Sequence, residues 1–327
     1  MKKRVFSGIQ PTGEIHIGRY VGAVRNWVEM QDGYDNIICV VDLHAITVQQ
    51  DPALLKERIR KFTGLLLAAG IDPDRTILFI QSNVSAHAEL AWILNCFIPI
   101  GWAQRMTQYK EKSQKQKEQA SLGLFAYPSL MAADILLYDT NTVPVGEDQK
   151  QHVELTRDVA QRFNSMYGET FTLPEPLISD IGSRIMGLDD PTKKMSGSEN
   201  GPGHSIDLLD PADEIRAKIM RATTDSLREI RFDEERPGIF NLLSIYKSFT
   251  DMPEPEIEVR FESKGYSDLK KELAEVVIEG LRPIQERYCK ITAESGYIDK
   301  VVKDGADKAR PMAEKKLAEA QKKVGLG

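Results

Sequence analysis

Apolar residues in the first half of the chain come in short continuous runs, each followed by an amphipathic stretch. Val5-Phe6-Ser7 reads as a short buried strand, and Tyr20 to Val28 as the helix that follows it. Asn36-Ile37-Ile38-Cys39-Val40-Val41 is a second strand. Its run is continuous rather than alternating, as expected of a parallel strand covered on both faces. Asp51 to Ala69 carries a full set of helix signals: Asp51 as N-cap, Pro52 at the first position and Gly70 as the stop. Thr76 to Gln81 is a third strand, with a helix over Ala86 to Ile98 behind it. This βαβαβα alternation predicts a doubly wound, Rossmann-type parallel sheet with right-handed crossovers. Ligands of such sheets bind at the carboxyl ends of the strands, where Gln10, His44 and Ser82 fall. Thr142 to Gly146 is a further short strand before a helix from Glu147 to Phe163, so Gly146-Glu147-Asp148-Gln149 lies at the same edge.

After about residue 175 the alternation stops, and Ile185-Met186-Gly187-Leu188 is the last short apolar piece. From Pro211 onward the pattern is helical: Glu214 to Arg221, Gly238 to Thr250, Tyr266 to Arg287 with an interruption near Pro283, and Ile298 to Val324. The expected organisation is an α/β domain over 1–190, a mobile Gly/Ser/Lys loop over 191–204, a helical domain over 205–290 and a C-terminal helix over 291–327. The fold class is thus α/β, followed by an all-helical C-terminal domain.

Composition narrows the picture. With 327 residues, 41% hydrophobic and 28% charged, the chain is an ordinary soluble one with ample material for a core. No run approaches the roughly 18 apolar residues of a membrane span. The basic start, Met1-Lys2-Lys3-Arg4, is followed by an apolar run that breaks at Ser7-Gly8, too short for a signal peptide. Cys39, Cys96 and Cys289 are far apart and lack C-x-x-C spacing, which argues against a structural metal and for buried free thiols in a reducing, cytoplasmic setting. A net charge of −6 counts against general nucleic-acid binding but leaves room for a local basic patch. Lys308 to Lys323, with six basic residues against two acidic ones, is a candidate for such a patch or a solvated helix face. The lysine-rich segment 104–120 reads as a solvated helix or an insertion.

The candidate chemistry begins at Gly8-Ile9-Gln10-Pro11-Thr12-Gly13-Glu14-Ile15-His16-Ile17-Gly18-Arg19. A strand feeding a glycine-containing loop and then a helix N-terminus is suited to phosphate, because the backbone can approach closely and the first helical N–H groups are unpaired. The dinucleotide spacing G-x-G-x-x-G is absent, which disfavours a dehydrogenase. Asp134 is the one carboxylate within the apolar run Tyr127 to Tyr138. A buried carboxylate must be paired or hydrogen-bonded. It is either a structural group bonding backbone N–H groups or an acceptor aimed into an apolar pocket.

Taken together, Phe6 to Gly13, His16-Ile17-Gly18-Arg19, Met131 to Tyr138, Val143 to His152 and Lys194-Met195-Ser196-Gly197-Ser198 resemble, in this order and spacing, the motifs of the bacterial-type tryptophanyl-tRNA synthetases, which are class I aminoacyl-tRNA synthetases. The resemblance runs through nearly the whole chain. It implies activation of L-tryptophan by ATP, with Mg²⁺ carried on the phosphates and no protein-held metal, then transfer to tRNA(Trp) by a homodimer. It places Gln10, Pro11, Thr12, Gly18 and Arg19 beside the nucleotide, Gly146, Glu147 and Asp148 on adenosine and ribose, and Ile185 on adenine. His16 and Arg19 belong to the HIGH-type element. Lys194, Met195, Ser196, Gly197 and Ser198 form the KMSKS-type loop over pyrophosphate, and Lys112 also reaches the phosphates. Asp134 would accept the indole N–H, with Met131, Val143, Val145 and Phe6 along the ring, and Tyr127 and Gln149 on the ammonium group. Residues 205–290 would recognise the anticodon.

Two positions depart from the family pattern. Gly197 stands where the second lysine of the KMSKS loop is usual. Arg19 stands where the bacterial family commonly has asparagine and class I enzymes have histidine. Losing a cation at a developing charge costs about 3 kcal/mol, so Arg19 is a candidate to supply part of the missing charge. The competing readings are a tyrosyl-type synthetase on the same fold and a paralogue that binds tRNA or tryptophan without charging.

Overall fold

The computed structural model describes residues 2–106, 120–146, 149–178, 184–197, 201, 203–227 and 229–327. Five parallel strands form the central sheet: β1 (Arg4–Ile9), β2 (Asp35–Val40), β3 (Thr76–Ile80), β4 (Thr142–Val145) and β5 (Glu175–Ile178), in the order β3-β2-β1-β4-β5. The order reverses between β1 and β4. That reversal opens a crevice at their carboxyl ends, the usual ligand position in such sheets.

The continuous apolar run of β2 follows from its position. Ile38 and Val40 enter one core, while Ile37 and Cys39 enter another on the opposite face. Successive side chains point to opposite sides, so a strand covered on both faces needs apolar residues at every position. The sequence pattern does not reveal β5. It is four residues long, contains Pro176 and lies at the sheet edge with half-exposed side chains, so it lacks the buried run that marks the other strands.

The first crossover helix, α1, runs as one turn over Ile17–Arg19, a π turn over Tyr20–Val24 and a regular stretch over Arg25–Met30. Short α2 (Asp42–Ala45) follows β2. In α3 (Pro52–Ala69) the Asp51 carboxylate accepts from the amides of Ala53 and Leu54, and Gly70 ends the helix at φ +119°. Then come α4 (Ala86–Asn95), α5 (Ile100–Arg105), α6 (Leu122–Leu136) and α7 (Lys150–Tyr167).

The helical part comprises α8 (Ala212–Arg221), α9 (Pro237–Thr250), α10 (Glu254–Phe261), α11 (Tyr266–Ala293) and α12 (Tyr297–Lys323). The interruption expected near Pro283 does not occur: α11 continues through it. A proline removes one backbone hydrogen bond, but Leu281 and Ile284 on either side are buried and keep this stretch packed in the core. Arg287 donates to the carbonyl of Ala68 at 2.5 Å and so ties α11 to the end of α3.

Helix α12 returns to the sheet. A Cβ on Gly305 would stand 1.9 Å from the carbonyl oxygen of Leu78, so the helix backbone lies directly on β3. Ala306, Ala309, Ala313 and Ala320 continue this close approach in the core. The helix therefore covers the open edge of β3.

Candidate active site

The phosphate-facing half is built from three segments distant in sequence. Beyond β1 the loop turns at Gly13, with φ +69°. His16 caps α1, its Nδ1 accepting from the amide of Arg19 at 3.2 Å. Burial, followed by the positive charges of Arg19, Lys194 and His204, lowers the His16 pKa to about 3. The ring is neutral at pH 7. Because Nδ1 accepts, its single proton is on Nε2, available as a donor. Gly18 allows close packing here, since a Cβ would lie 3.1 Å from His16 Nδ1 and 3.4 Å from Ile185 Cβ.

Ile185 and Gly187 pair with the beginning of the lysine loop: Met195 N donates to Ile185 O at 3.1 Å, and Gly187 N to Lys193 O at 2.8 Å. Met195 is buried, whereas the Lys194 side chain is exposed. A later stretch locks the first loop in place, with Ile17 N donating to Ile206 O at 2.8 Å and Leu208 N to Ile15 O at 2.9 Å. The Arg19 guanidinium lies 5.7 Å from the Phe62 ring centroid, and its Nη1 is 3.5 Å from Gln10 O.

The second half surrounds Asp134 on α6. Its carboxylate is 3% exposed and accepts from three side chains: His44 Nε2 at 2.8 Å, Gln81 Nε2 at 2.6 Å and His87 Nδ1 at 2.6 Å. The structural alternative raised by the sequence, bonds to backbone N–H groups, is replaced by this side-chain set. Burial pushes the carboxyl pKa up. The hydrogen bonds and charges of His44 and His87 outweigh it, so Asp134 stays below the ordinary value and is ionised. His87 is fully buried, and its Nε2 meets the Tyr138 hydroxyl at 2.7 Å. Burial drives the Tyr138 pKa far upward, so the hydroxyl keeps its proton.

Phe6 stacks on Tyr138 at a centroid distance of 5.7 Å, and Val143 is buried. Met131 and Val145 are half-buried. The Tyr127 hydroxyl meets His152 Nε2 at 3.2 Å. Gln149 immediately precedes α7, its backbone amide donating to Gly146 O at 2.9 Å. Gln10 joins the two halves, its Nε2 donating to His44 O at 2.8 Å. Pro11, Thr12, Ser196 and Gly197 lie in the same loops. Lys112, Glu147, Asp148 and Ser198 lie outside the described residues.

Sequence reasoning missed Gln81, His87 and His204. The first two were signalled only by polar residues following β3 at the ligand edge. Nothing local to His204 marked it.

Residues 1–282 match the family described as tRNA synthetases class I (W and Y), and the chain belongs to that family. Within it, the chain falls among the bacterial-type tryptophanyl enzymes. The tryptophan–tRNA ligase of Wolinella succinogenes is 60% identical over 326 residues, covering 100% of this chain and 99% of that protein. That of Helicobacter pylori strain 26695 is 55% identical over 325 residues, 99% of each.

The solved tryptophanyl-tRNA synthetase of Mycoplasma pneumoniae superposes with a TM-score of 0.92 at 37% identity, covering 100% of this chain and 99% of that one. The Campylobacter jejuni enzyme complexed with ADP and tryptophan gives 0.85 at 37% identity, covering 99% and 100%.

Proposed function

We infer that this chain joins L-tryptophan to tRNA(Trp) at the expense of ATP. In the first step the tryptophan carboxylate attacks the α-phosphate, giving tryptophanyl-adenylate and pyrophosphate. In the second, a ribose hydroxyl at the tRNA 3′ end takes the tryptophanyl group and AMP leaves. A carboxylate is already ionised at pH 7, so the first step needs no general base. Positioning and stabilisation of charge on the leaving pyrophosphate suffice. ATP enters as co-substrate with Mg²⁺ on its phosphates.

His16 Nε2–H and the Lys194 ammonium are the donors for the phosphates, helped by Arg19, Lys112, Ser196 and Ser198. Gln10, Pro11, Thr12, Gly18, Gly146, Glu147, Asp148, Ile185, Met195 and Gly197 border the nucleotide. Tyr127 and Gln149 hold the ammonium group, while Met131, Val143, Val145 and Phe6 line the ring.

The choice of amino acid rests on the ionised Asp134 carboxylate. The indole N–H is a donor only, so an acceptor in an apolar pocket is the group that reads it. His44, Gln81 and His87 leave the carboxylate one further lone pair; a phenylalanine ring brings no donor to it, and sites built to hydrogen-bond a substrate group reject analogues that lack it by roughly 10⁴–10⁵.

The working unit is a homodimer. Trp92, Ile100 and Leu122 are 71%, 66% and 85% exposed on α4, α5 and α6, and a second copy would cover such apolar side chains. The helical segment 205–290 receives the anticodon. Among the described residues no helix is long and apolar enough to cross a membrane. Charging of tRNA(Trp) with labelled tryptophan in the presence of ATP and Mg²⁺ tests this reading. Tryptophan-dependent esterification is expected, and its absence with intact, folded protein would overturn the assignment.

A further inference from the structure

The loop that carries Lys194 is held from beneath by an imidazole with no role in the reaction just described. His204 is 1% exposed. Its Nδ1 lies 2.5 Å from Asp189 Oδ1, and its Nε2 lies 3.2 Å from the carbonyl oxygen of Lys194. Both partners are acceptors only. A neutral imidazole has one N–H and satisfies one of them; the imidazolium has two and satisfies both.

The site is shaped for this ring. A Cβ on Gly187 would stand 2.0 Å from His204 Cε1 and 2.4 Å from Nδ1, so only glycine leaves room. The main chain fixes it further, with Leu188 N donating to His204 O at 3.0 Å and His204 N to Gly201 O at 3.0 Å. The charged and titratable groups around it are the half-exposed Asp189 carboxylate, the Lys194 ammonium, and His16 with Arg19 on α1. From the α8 side, the Thr223 hydroxyl holds the Asp189 carbonyl at 2.7 Å.

We propose that His204, in its doubly protonated form, is a positioning residue of the ATP site: it clamps the Lys194 main chain to Asp189 and so sets where the ammonium meets the phosphates. The clamp needs both N–H groups, because the neutral ring can hold only one of its two acceptors. This rests on Lys194 acting at the ATP phosphates, as in the function proposed above.

The test is tryptophan-dependent ATP–pyrophosphate exchange from pH 6 to 8.5, read as KM for ATP and KM for tryptophan separately. In the wild type, KM for ATP rises with pH while KM for tryptophan stays flat. His204→Gln raises KM for ATP about ten-fold at pH 6.5, the scale of one lost charge-assisted hydrogen bond, and flattens its rise with pH. Gly187→Ala, which displaces the ring from the other side, does the same. Ionisation of ATP itself affects all proteins alike, so the difference between profiles is the readout, and parallel profiles would overturn the proposal.

The wild type provides a check that needs no variant. Imidazole ¹⁵N NMR shows His204 with both nitrogens protonated at pH 6; a neutral ring there overturns the clamp. Lys194→Ala separates the two levels. If it leaves exchange unchanged, the role of Lys194 itself is wrong. If it slows exchange while His204→Gln leaves KM for ATP unchanged, only the clamp is wrong.

Discussion

Gly197 stands against the main chain of Glu14: a Cβ at position 197 would lie 3.0 Å from both the amide nitrogen and the carbonyl oxygen of Glu14. The KMSKS-type loop and the HIGH-type loop thus meet backbone to backbone where a lysine is usual. Glu14 does not yield readily, because its carboxylate pairs with Lys61 at 2.6 Å and its neighbour Ile15 is bonded to Leu208. Restoring the family lysine is therefore expected to hurt. Overpacking of this kind costs about 1–3 kcal/mol. Gly197→Lys and Gly197→Ala should both slow adenylate formation, measured by single-turnover kinetics, by about five- to ten-fold or more. A Gly197→Lys enzyme faster than wild type would mean that the added cation outweighs the clash.

Arg19 bears on the same question. Its guanidinium lies over Phe62 and reaches the Gln10 carbonyl, so it is held at the edge of the nucleotide loop. If it supplies charge that Gly197 does not, Arg19→Asn and Gly197→Lys are coupled. The double mutant should then depart from the sum of the single effects by about 0.5 kcal/mol or more in the rate of adenylate formation. Simple additivity would remove the compensation idea. Arg19→Lys should also lose rate, because a lysine lacks the planar fork and the stacking face.

Asp134→Asn keeps the size of the side chain and removes its charge. His44, Gln81 and His87 then face an amide that offers one acceptor oxygen. KM for tryptophan should rise by about 10²-fold while KM for ATP changes little. Equal losses for both substrates would point to general collapse of the site. The pH dependence has a definite sign. The folded Asp134 pKa is depressed, so its contribution to stability is present above the unfolded value near 3.9 and is lost as pH falls through the lower folded value.

Asp207 behaves in the opposite way. Burial, then the neighbouring Asp210 carboxylate, raises its pKa to about 6 against the pull of Lys218. The folded state holds a proton that the unfolded chain has already released, so stability falls as pH rises between about 4 and 6. Asp207→Asn should raise the melting temperature by a few degrees at pH 7.5 and flatten that fall. Calorimetry at pH 5, 6 and 7.5 reads both effects, and a lower melting temperature at pH 7.5 would contradict the account.

What was legible in the sequence followed burial on two faces and local capping. β1 to β4 and α3 are of that kind: Ile37 and Ile38 enter opposite cores, and Asp51 and Gly70 bound their own helix. β5 was not, because an edge strand with Pro176 carries no continuous apolar run. Nor was the place of α12, whose contact stripe is glycine and alanine and so has a weak pattern. Its basic end was offered as a backbone contact for tRNA, yet part of that charge is used inside the chain. Lys308 donates to Pro73 O, Arg310 to Asn83 O, and Lys316 to Thr170 O while pairing with Asp139.

In the site, Asp134 was conspicuous as a lone carboxylate in an apolar run. Its partners Gln81 and His87, 53 and 47 residues away, were not, since only the fold brings them to it. His204 is hidden for the same reason, as its two acceptors are set by the turn that carries Lys194.

The central claim is that this site activates tryptophan and selects it through Asp134. ATP–pyrophosphate exchange on the purified protein with Mg²⁺, run side by side with tryptophan, tyrosine and phenylalanine, tests it most directly. Exchange with tryptophan, and rates with the other two lower by roughly 10⁴ or more, is the predicted result. Comparable exchange with tyrosine, or none with any of the three, would contradict it.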